Sequence, residues 1–398
     1  MTNSPETRLC PVCDGSNTIF VAERENLITM QNYVYHDYDE ARRAQVGRFE
    51  LRACRDCGFV YNGAFDSSLL SYDENYDNAV PSEIFLDYYK EIARFLYDKF
   101  SLESQLVIDV GCGKGTLLKV LCGMYPAVQG IGIDPSYEPD NSNELTPNLK
   151  FIQDVFKAEY IDRKPALIIC RHVLEHIAQP VLFLKSIADA SSDFDKTPFF
   201  IEVPDLEWII QNNVFWDFCY EHCNYFTAHS LRKSLDLSSF KVEHIQNAFG
   251  GQYLWSWGKI EQNGIETPAG DNVIDSLISY AAAEKDLISK TKSKLEELKK
   301  NADLIAVWGM STKGVVLCNL VDPEKRLFDY CIDINPKKDK CFVPHTGHQI
   351  DSPEKLAEAG QSNLVVIVMN PNYLDEIAKD CRNMKLKARF IDADDLMA

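Results

Sequence analysis

The segment LVIDVGCGKGTLLKVL, residues 106–121, decides the fold. Its first five residues predict a buried strand, and the residues after the glycines predict a helix that begins near Lys114. Gly111, Gly113 and Gly115 lack a Cβ atom, which lets the backbone approach a ligand closely and present N–H groups at a helix N-terminus. The segment therefore predicts a strand, a ligand-binding glycine turn and a helix.

Short apolar runs follow this segment: VQGIGID, ALIIC and PFFIEV. They alternate with helical patterns, which indicates parallel strands joined by crossover helices. Asp134 ends the second strand, where a carboxylate can accept hydrogen bonds from both hydroxyls of a ribose. Further on, Asp154 in FIQDVF stands where an acidic side chain can bind an adenine amino group. We therefore expect an α/β domain that binds a nucleoside.

The composition excludes several classes of protein. The chain has 398 residues, of which 45% are hydrophobic, so it can form two or three packed cores. Its formal net charge of −19 would repel a phosphodiester backbone. The first residues, MTNSPETRLC, show no secretory signal pattern, and no stretch holds the roughly 20 apolar residues of a membrane span. We expect a cytoplasmic monomer that binds neither nucleic acid nor membranes.

Cysteines occur in two closely spaced pairs near the start of the chain. Cys10 and Cys13 form a CPVC motif, while Cys54 and Cys57 form a CRDC motif that Gly58 follows. Thiols stay reduced in the cytoplasm, and two C-x-x-C turns supply the four ligands of a closed tetrahedral Zn(II) site. A redox motif or four buried cysteines are the alternatives, but neither explains two motifs in one small module. Because four thiolates leave no position for water, the predicted zinc is structural.

Changes in hydrophobic period divide the chain into four segments. Residues 1–80 form the predicted zinc module and a lid, for which the tyrosine-rich SYDENYDN is the candidate. Residues 81–262 form the nucleoside-binding domain. Residues 263–301 form a connecting helix, whose charged end predicts a solvent-exposed surface. Residues 302–398 restart the α/β pattern with DLIAVWG, LFDYCIDIN and NLVVIVM, which predicts a second parallel sheet.

A dense group of polar side chains lies in DFCYEHCNYF, residues 217–226, which contains Tyr220, Glu221 and His222. A histidine can act as a base, a carboxylate can orient it, and a tyrosine can stabilise a developing oxyanion. A purely structural polar loop is the alternative. The segment is therefore a candidate catalytic segment.

The motifs IDVGCGKG, GIGID, QDVF and HVLEHI together resemble the class I methyltransferases that use S-adenosylmethionine (AdoMet), over about residues 86–260. A nicotinamide-binding Rossmann domain is the alternative, but the glycine spacing and the HVLEH segment do not suit it. The resemblance implies that Asp109 helps to hold the methionine amino group and that Asp134 binds the ribose. The predicted AdoMet contacts are Asp109, Gly111, Gly113, Gly115, Asp134, Asp154 and Arg171.

Nearly the whole chain resembles the C-methyltransferases of deoxysugar biosynthesis, which act on nucleotide-linked keto sugars. This resemblance rests on the two C-x-x-C motifs, the methyltransferase core, YEHCNYF and WGMSTKG. It implies that the carbon beside the ketone of a 4-keto-deoxysugar, linked to a nucleotide such as dTDP, is deprotonated to an enolate that attacks the AdoMet methyl group. By the same resemblance His222 is the base, and the acceptor site is lined by Tyr76, His176, Tyr220, Glu221 and His222.

The C-terminal segment offers a second candidate site. VWGMSTKG follows a predicted strand and precedes an apolar helix, so its N–H groups could wrap a phosphate, although a turn without a ligand would have the same pattern. IDINPKKDKCFVPHTG resembles the family's second signature in this domain, where a lysine and the PHTG turn approach the sugar nucleotide. The residues predicted to bind the acceptor are Gly309, Ser311, Thr312, Lys313, Lys337 and His345.

Two other functions are compatible with the glycine turn. One is an O- or N-methyltransferase that acts on another small molecule. The other is a zinc-organised binding module that has lost activity, against which the intact Asp109, Gly111 and Asp134 argue. The sequence predicts an AdoMet-dependent C-methyltransferase, with the O- or N-methyltransferase as the alternative.

Overall fold

The computed structural model describes residues 9–73, 75–79, 81–138, 147–194, 196–261, 273–302, 304–359 and 363–397. The first residues of the predicted zinc module and the beginning of the predicted connecting segment 263–301 lie outside these ranges. Within the described ranges, no helix has the length and apolar character that crossing a membrane requires.

Sixteen strands and nine α-helices are found in the described residues. The strands are β1 (Thr18–Ile28), β2 (Val46–Cys54), β3 (Val60–Asn62), β4 (Leu106–Val110), β5 (Gln129–Ile133), β6 (Leu149–Ile152), β7 (Leu167–Arg171), β8 (Thr197–Pro204), β9 (Asn224–Tyr225), β10 (Phe240–Ala248), β11 (Tyr253–Ile260), β12 (Leu304–Trp308), β13 (Tyr330–Ile332), β14 (Ile350–Asp351), β15 (Leu364–Val368) and β16 (Ala388–Asp392). The helices are α1 (Tyr38–Arg42), α2 (Glu83–Phe100), α3 (Thr116–Met124), α4 (Pro180–Ala190), α5 (Leu206–Gln211), α6 (Ala228–Asp236), α7 (Ile274–Asn301), α8 (Thr312–Val321) and α9 (Leu374–Asn383).

The central sheet has seven strands in the order β10-β11-β8-β7-β4-β5-β6. The strands from β8 to β6 in this order are parallel, whereas β11 runs antiparallel to β8 and to β10. All residues of β4 are buried because helices cover both faces: Val107 packs in the core beneath α2 and α3, and Ile108 packs in the core beneath α4 and α6. The sequence order of the strands reverses beside β4, and ligands of such sheets bind at the carboxyl ends of the strands at this point.

The N-terminal sheet is antiparallel and has the order β1-β2-β3-β9. Its fourth strand does not come from residues 1–80: β9 belongs to the candidate catalytic segment, and its Tyr225 pairs with Val60. The N-terminal module is therefore completed by the segment that carries Glu221 and His222.

The C-terminal sheet is parallel, in the order β14-β13-β12-β15-β16, as the sequence predicts. The expectation of a solvated connecting helix is wrong for one face of α7, where Leu277 and Leu295 are buried. Glu284 on the same face accepts a hydrogen bond from Arg24 Nε at 2.9 Å, and Arg24 also donates to the carbonyl oxygen of Phe218 at 2.8 Å. The buried face of α7 thus carries one charged residue, Glu284, paired with Arg24, and the helix packs the N-terminal module against the candidate catalytic segment.

Candidate active site

The glycine turn lies between β4 and α3, at the carboxyl edge of the central sheet. Gly111 has φ of +77°, and a Cβ atom there would lie 2.2 Å from Val173 Cγ2, so a larger residue would need both a strained backbone and a displaced neighbour. Around Gly113, no described atom lies within 4 Å of the position that a Cβ would take. Helix α3 begins at Thr116, slightly later than predicted. The turn therefore leaves open space in front of a helix N-terminus.

The acidic residue predicted to face this turn does so. Asp134 directly follows β5, and its Oδ2 accepts a hydrogen bond from the Gly113 N–H at 2.8 Å. Its Oδ1 accepts from the Ser136 N–H at 2.7 Å. Asp154, beyond β6, is partly exposed and contacts Lys157 Nζ. The structure brings Asp134 to the turn, and the roles of both carboxylates in ribose and adenine binding stay predictions.

Two buried polar atoms at the ends of β4 and β7 lack a hydrogen-bond partner among the described residues: Asp109 Oδ1 and Arg171 Nη2. Burial raises the pKa of Asp109 to about 7, although the charge of Arg171 opposes the rise. Arg171 uses its Nε to donate to Glu202 Oε2 at 2.6 Å. An amino acid zwitterion fits both atoms, because its ammonium would satisfy the carboxylate and its carboxylate would satisfy the guanidinium. The methionine part of AdoMet is such a zwitterion.

Four of the predicted catalytic residues lie together near this edge of the sheet. His176 Nδ1 is 3.0 Å from the carbonyl oxygen of Glu221, and the rings of His176 and His222 meet edge to face with centroids 4.9 Å apart. Glu221 Oε1 accepts a hydrogen bond from the Gln31 N–H at 2.5 Å. The Tyr76 hydroxyl lies close enough to the Glu221 side chain for the carboxylate to raise its pKa. The structure thus joins Tyr76, which precedes α2, to residues that follow β7 and β8.

Burial sets the protonation of these groups. It lowers the pKa of His222 to about 3, and the neighbouring His176 lowers it further, so the imidazole is neutral near pH 7. Burial raises the pKa of Tyr76 well above its ordinary value, and Glu221 raises it further, so the hydroxyl stays protonated. Burial also raises the pKa of Glu221, an effect that His176 opposes. The cluster combines an imidazole that can accept a proton with a hydroxyl that can donate a hydrogen bond.

Tyr220 does not join the cluster, which corrects the sequence prediction. Its side chain is fully buried against Gly47, and its hydroxyl accepts a hydrogen bond from the Asp66 N–H at 3.0 Å. Tyr220 therefore points into the N-terminal module, whereas the side chain of the adjacent Glu221 points towards the buried Gln31.

Tyr72 contributes the second tyrosine of the cluster. Its hydroxyl is 3.3 Å from His176 Nδ1, and its ring packs edge to face on Tyr76 with centroids 4.9 Å apart. Burial raises the pKa of Tyr72, so this hydroxyl is also protonated near pH 7. The sequence predicts that SYDENYDN forms a lid, but no role was predicted for Tyr72. Its position four residues before Tyr76 in this tyrosine-rich segment could have indicated a place in the same site.

A buried network of charges lies behind the cluster and was not predicted. Glu202 on β8 accepts hydrogen bonds from Arg171 Nε and, at 2.8 Å, from the Tyr88 hydroxyl. His172 lies between two carboxylates, with Nε2 3.3 Å from Glu202 and Nδ1 3.4 Å from Glu175. Burial disfavours every charged form here, yet Arg171 holds the pKa of Glu202 at about 2, and Glu202 raises the pKa of His172 to about 9. This network fixes the end of β7 and the HVLEH turn.

The second glycine turn, between β12 and α8, uses its polar groups within the protein. Ser311 Oγ donates to Asn32 Oδ1 at 2.6 Å, and Thr312 Oγ1 accepts from Asn32 Nδ2 at 3.2 Å. Lys313 forms an ion pair with Asp217. Gly309, at the start of the turn, has φ of +109°. The turn therefore docks on Asn32 and on the segment that precedes the catalytic residues, and its binding of a nucleotide stays a prediction.

The remaining predicted acceptor-binding residues lie apart from each other. Lys337 Nζ is 3.1 Å from both Asp77 Oδ2 and Glu138 Oε2, so it links the C-terminal domain to the predicted lid and to the domain of the central sheet. His345 is exposed, and its N–H donates to the Ala41 carbonyl oxygen at 2.7 Å, which docks the PHTG turn on α1. The structure does not bring His345 to the second glycine turn.

The four cysteines of the two C-x-x-C motifs come together. Their sulfur atoms all lie within 4.8 Å of one another, with Cys10 Sγ 3.6 Å from Cys57 Sγ and Cys13 Sγ 3.6 Å from Cys54 Sγ. Zn–S bonds of about 2.3 Å in a tetrahedron require S–S distances of about 3.8 Å. Gly58, with φ of +70°, donates its N–H to the Cys54 carbonyl oxygen at 2.8 Å, which closes the second turn. The arrangement fits a Zn(II) ion.

Two family models match the chain. One, described as a methyltransferase domain, covers residues 82–245, and the other, described as a C-methyltransferase C-terminal domain, covers residues 262–392. No curated protein matches the chain significantly. These matches and the seven-stranded sheet define the class I methyltransferase fold. The chain therefore contains a methyltransferase domain, and a domain of the kind found at the C-terminus of C-methyltransferases follows it.

Several solved methyltransferase structures align with less than half of the chain. They include the mitomycin 7-O-methyltransferase (16% identity, TM-score 0.35, 45% of this chain and 54% of that chain). Another is the N,N-8-amino-8-demethyl-D-riboflavin dimethyltransferase from Streptomyces davawensis (16% identity, TM-score 0.37, 44% of this chain and 54% of that chain). A third is the 1,6-didemethyltoxoflavin-N1-methyltransferase from Burkholderia thailandensis with bound S-adenosylhomocysteine (15% identity, TM-score 0.35, 45% of this chain and 81% of that chain). The chain spans about half the length of the first two.

Proposed function

We propose that the chain is a C-methyltransferase that methylates the carbon beside the ketone of a nucleotide-linked 4-keto-deoxysugar, such as a dTDP-linked one. The observation that carries the proposal is the cluster in which His222 is neutral while Tyr72 and Tyr76 are protonated. The match of residues 262–392 to a C-methyltransferase C-terminal domain supports a carbon acceptor.

A carbon acceptor makes a demand on the protein that most oxygen and nitrogen acceptors do not. A C–H group beside a ketone becomes a nucleophile only after it has lost its proton, and the electron pair that remains must be stabilised on the carbonyl oxygen. The cluster meets both needs, because an imidazole can take the proton and tyrosine hydroxyls can donate to the oxyanion.

In the proposed reaction His222 accepts the proton from the acceptor carbon, and the electron pair of the C–H bond moves to the carbonyl oxygen to give an enolate. Tyr76, whose hydroxyl lies beside the Glu221 side chain, turns its one hydroxyl proton to that oxygen and donates a hydrogen bond to it. AdoMet, when bound, supplies an electrophilic methyl group. The enolate carbon would take this methyl group, with S-adenosylhomocysteine as the leaving group, and the ketone would be restored. The enolate charge raises the pKa of His222 as the proton moves, because opposite charges then lie in one buried cleft.

The chain provides the residues that such a reaction needs for binding. Asp109 Oδ1 and Arg171 Nη2, which have no hydrogen-bond partner among the described residues, would hold the amino acid part of AdoMet, and Asp134 would hold the ribose. The sulfur atoms of the four clustered cysteines would hold one structural Zn(II) ion, which fixes the N-terminal module beside the cleft.

Proton exchange tests the proposal. The enzyme is incubated with nucleotide-linked keto-hexoses in deuterium oxide without AdoMet, and the exchange at the carbon beside the ketone is followed by NMR. We expect exchange with at least one of these sugars and a loss of about 100-fold in His222→Ala, the size of a general-base contribution. His244→Gln, which changes an exposed histidine on β10, is the control and keeps the wild-type rate.

The alternative of an O- or N-methyltransferase predicts no exchange at carbon. A protein that binds AdoMet but exchanges no proton of any nucleotide keto sugar would therefore overturn the proposal and leave that alternative standing.

A further inference from the structure

Asn32 lies in the segment after β1 and is buried, with 6% of its surface exposed. A buried asparagine must satisfy its amide oxygen, its amide nitrogen and its backbone groups. Its partners come from three separate parts of the chain: the candidate catalytic segment, the lid and the second glycine turn.

On one side Asn32 reaches the catalytic cluster. Its N–H donates to Glu221 Oε1 at 3.4 Å, beside the shorter bond from the Gln31 N–H. Its carbonyl oxygen accepts from the N–H of Asp77, the residue next to Tyr76, at 3.0 Å. Asn32 therefore contacts the carboxylate that the proposed reaction uses and holds the backbone beside Tyr76.

On the other side the Asn32 side chain holds the second glycine turn. Its Oδ1 accepts from Ser311 Oγ at 2.6 Å and from Lys338 Nζ at 3.2 Å. Lys338 is itself buried, and its ammonium also donates to the Met310 carbonyl oxygen at 3.1 Å. Because charge-assisted hydrogen bonds are strong inside a protein, this lysine fixes the orientation of the Asn32 amide.

We infer that Asn32 is a positioning residue, which holds Glu221 and Tyr76 for proton removal and is itself held by Ser311 and Lys338 of the C-terminal domain. This inference rests on the proposed function. The C-terminal domain then contributes to the chemical step without touching the reacting atoms. Asn32 contacts both the second glycine turn and Glu221, so the position of the turn determines the position of Glu221. Ser311, Lys338 and Asn32 act as one unit.

The test compares Asn32→Ala, Ser311→Ala and the double variant. We expect Asn32→Ala to lower both kcat for methyl transfer and the rate of deuterium exchange by about 30-fold, as when a misplaced catalytic group loses its orientation. The KM for AdoMet stays within about twofold, because the AdoMet turn belongs to the central sheet. Ser311→Ala lowers kcat less, and the double variant is no slower than Asn32→Ala alone, since both changes break the same unit.

Asn62→Ala is the matched control. Asn62 is a similarly buried asparagine of the N-terminal module, and its Oδ1 accepts from the Glu50 and Ala64 N–H groups. Its backbone N–H donates to the Cys223 carbonyl oxygen at 2.8 Å, a bond that the substitution keeps. It should lower the unfolding temperature and leave kcat within about twofold wherever the protein stays folded, so that a loss of kcat in Asn32→Ala at the same temperature is not a stability effect.

The outcomes separate the two hypotheses. If the wild type exchanges protons and Asn32→Ala keeps its kcat, or if the two substitutions act additively, this inference is wrong and the proposed function stands. If the wild type exchanges no proton of any keto sugar, the proposed function is overturned and this inference with it.

Discussion

The chain contains two strand, glycine turn and helix units, and they differ in where their polar atoms go. At the first turn, between β4 and α3, Asp109 Oδ1 and the neighbouring Arg171 Nη2 have no partner among the described residues. At the second turn, between β12 and α8, Ser311 bonds with Asn32, and Lys313 pairs with Asp217. The first turn is open to a ligand, while the second joins the C-terminal domain to the rest of the protein.

The difference teaches that a glycine turn before a helix is a local geometry and not a function. Glycines and a helix N-terminus make an anion site possible in both turns. Buried polar atoms without partners indicate that a ligand is expected, because leaving such atoms unsatisfied costs free energy. Satisfied polar atoms indicate a joint between parts of the protein.

The largest effect that would sharpen this comparison comes from the zinc ligands. Cys13→Ser should lose the bound zinc, measured by metal analysis, and should lower methyl transfer by more than about 100-fold, because structural zinc sites contribute folding free energy outright. Asn32, Tyr72 and Tyr76 lie in the part of the chain that this site supports. Affinity for S-adenosylhomocysteine should change by no more than about threefold, since the first turn belongs to the central sheet.

Cys381→Ser, in a buried cysteine of α9, is the control and should retain the zinc. A Cys13→Ser protein that keeps both its zinc and its activity would refute the assignment of the metal site.

Asp109→Asn should give the next largest effect. A charge-assisted hydrogen bond to a buried group contributes about 1.5–3 kcal/mol, so calorimetry should show S-adenosylhomocysteine binding weakened by about 10- to 100-fold. Ser311→Ala, in the second turn, should leave this affinity within about twofold. Equal losses in the two variants would remove the distinction between the turns.

A change of pH should have a smaller effect on the affinity for S-adenosylhomocysteine. Burial raises the pKa of Asp109 to about 7 in the free protein, whereas the ammonium of the ligand binds the ionised carboxylate. Below pH 7 the proton must leave before binding, so affinity for S-adenosylhomocysteine should rise about fivefold between pH 6 and pH 7 and only about twofold more above pH 7. Calorimetry in buffers of different ionisation enthalpy should detect proton release at pH 6, and Asp109→Asn should abolish it.

The sequence predicted the parts of the fold and site that depend on local spacing. The glycines at 111–115 and the acid at 134 lie within one strand-turn-helix-strand unit, and both were found at the predicted edge. Each C-x-x-C turn brings its own two thiols together, so only the meeting of the two turns required tertiary structure.

The other parts of the site depend on long-range packing. Tyr220 was predicted to line the cleft, but the fit of its ring against Gly47 turns it into the N-terminal module. The roles of Asn32 and Lys338 were not predicted, because the contacts of Asn32 with Glu221 and with Lys338 join residues 189 and 306 positions apart in sequence. Such contacts leave no periodic pattern near either residue.

The smallest expected effect concerns the second turn itself. Lys313 and Asp217 form a largely buried ion pair, so Lys313→Met should lower the free energy of unfolding by about 1–2 kcal/mol in denaturant titrations. The double variant with Asp217→Asn should lose less than the sum of the single changes. If Lys313 instead binds the acceptor, Lys313→Met would raise the acceptor KM more than about tenfold without loss of stability.

The most direct test of the distinction between the two turns is a crystal structure of the protein soaked with S-adenosylhomocysteine. We predict that the ligand occupies the first turn, with its ammonium on Asp109, its carboxylate on Arg171 and its ribose hydroxyls on Asp134. Density for the ligand at residues 309–314, or a first turn that stays empty at saturating ligand, would contradict the account.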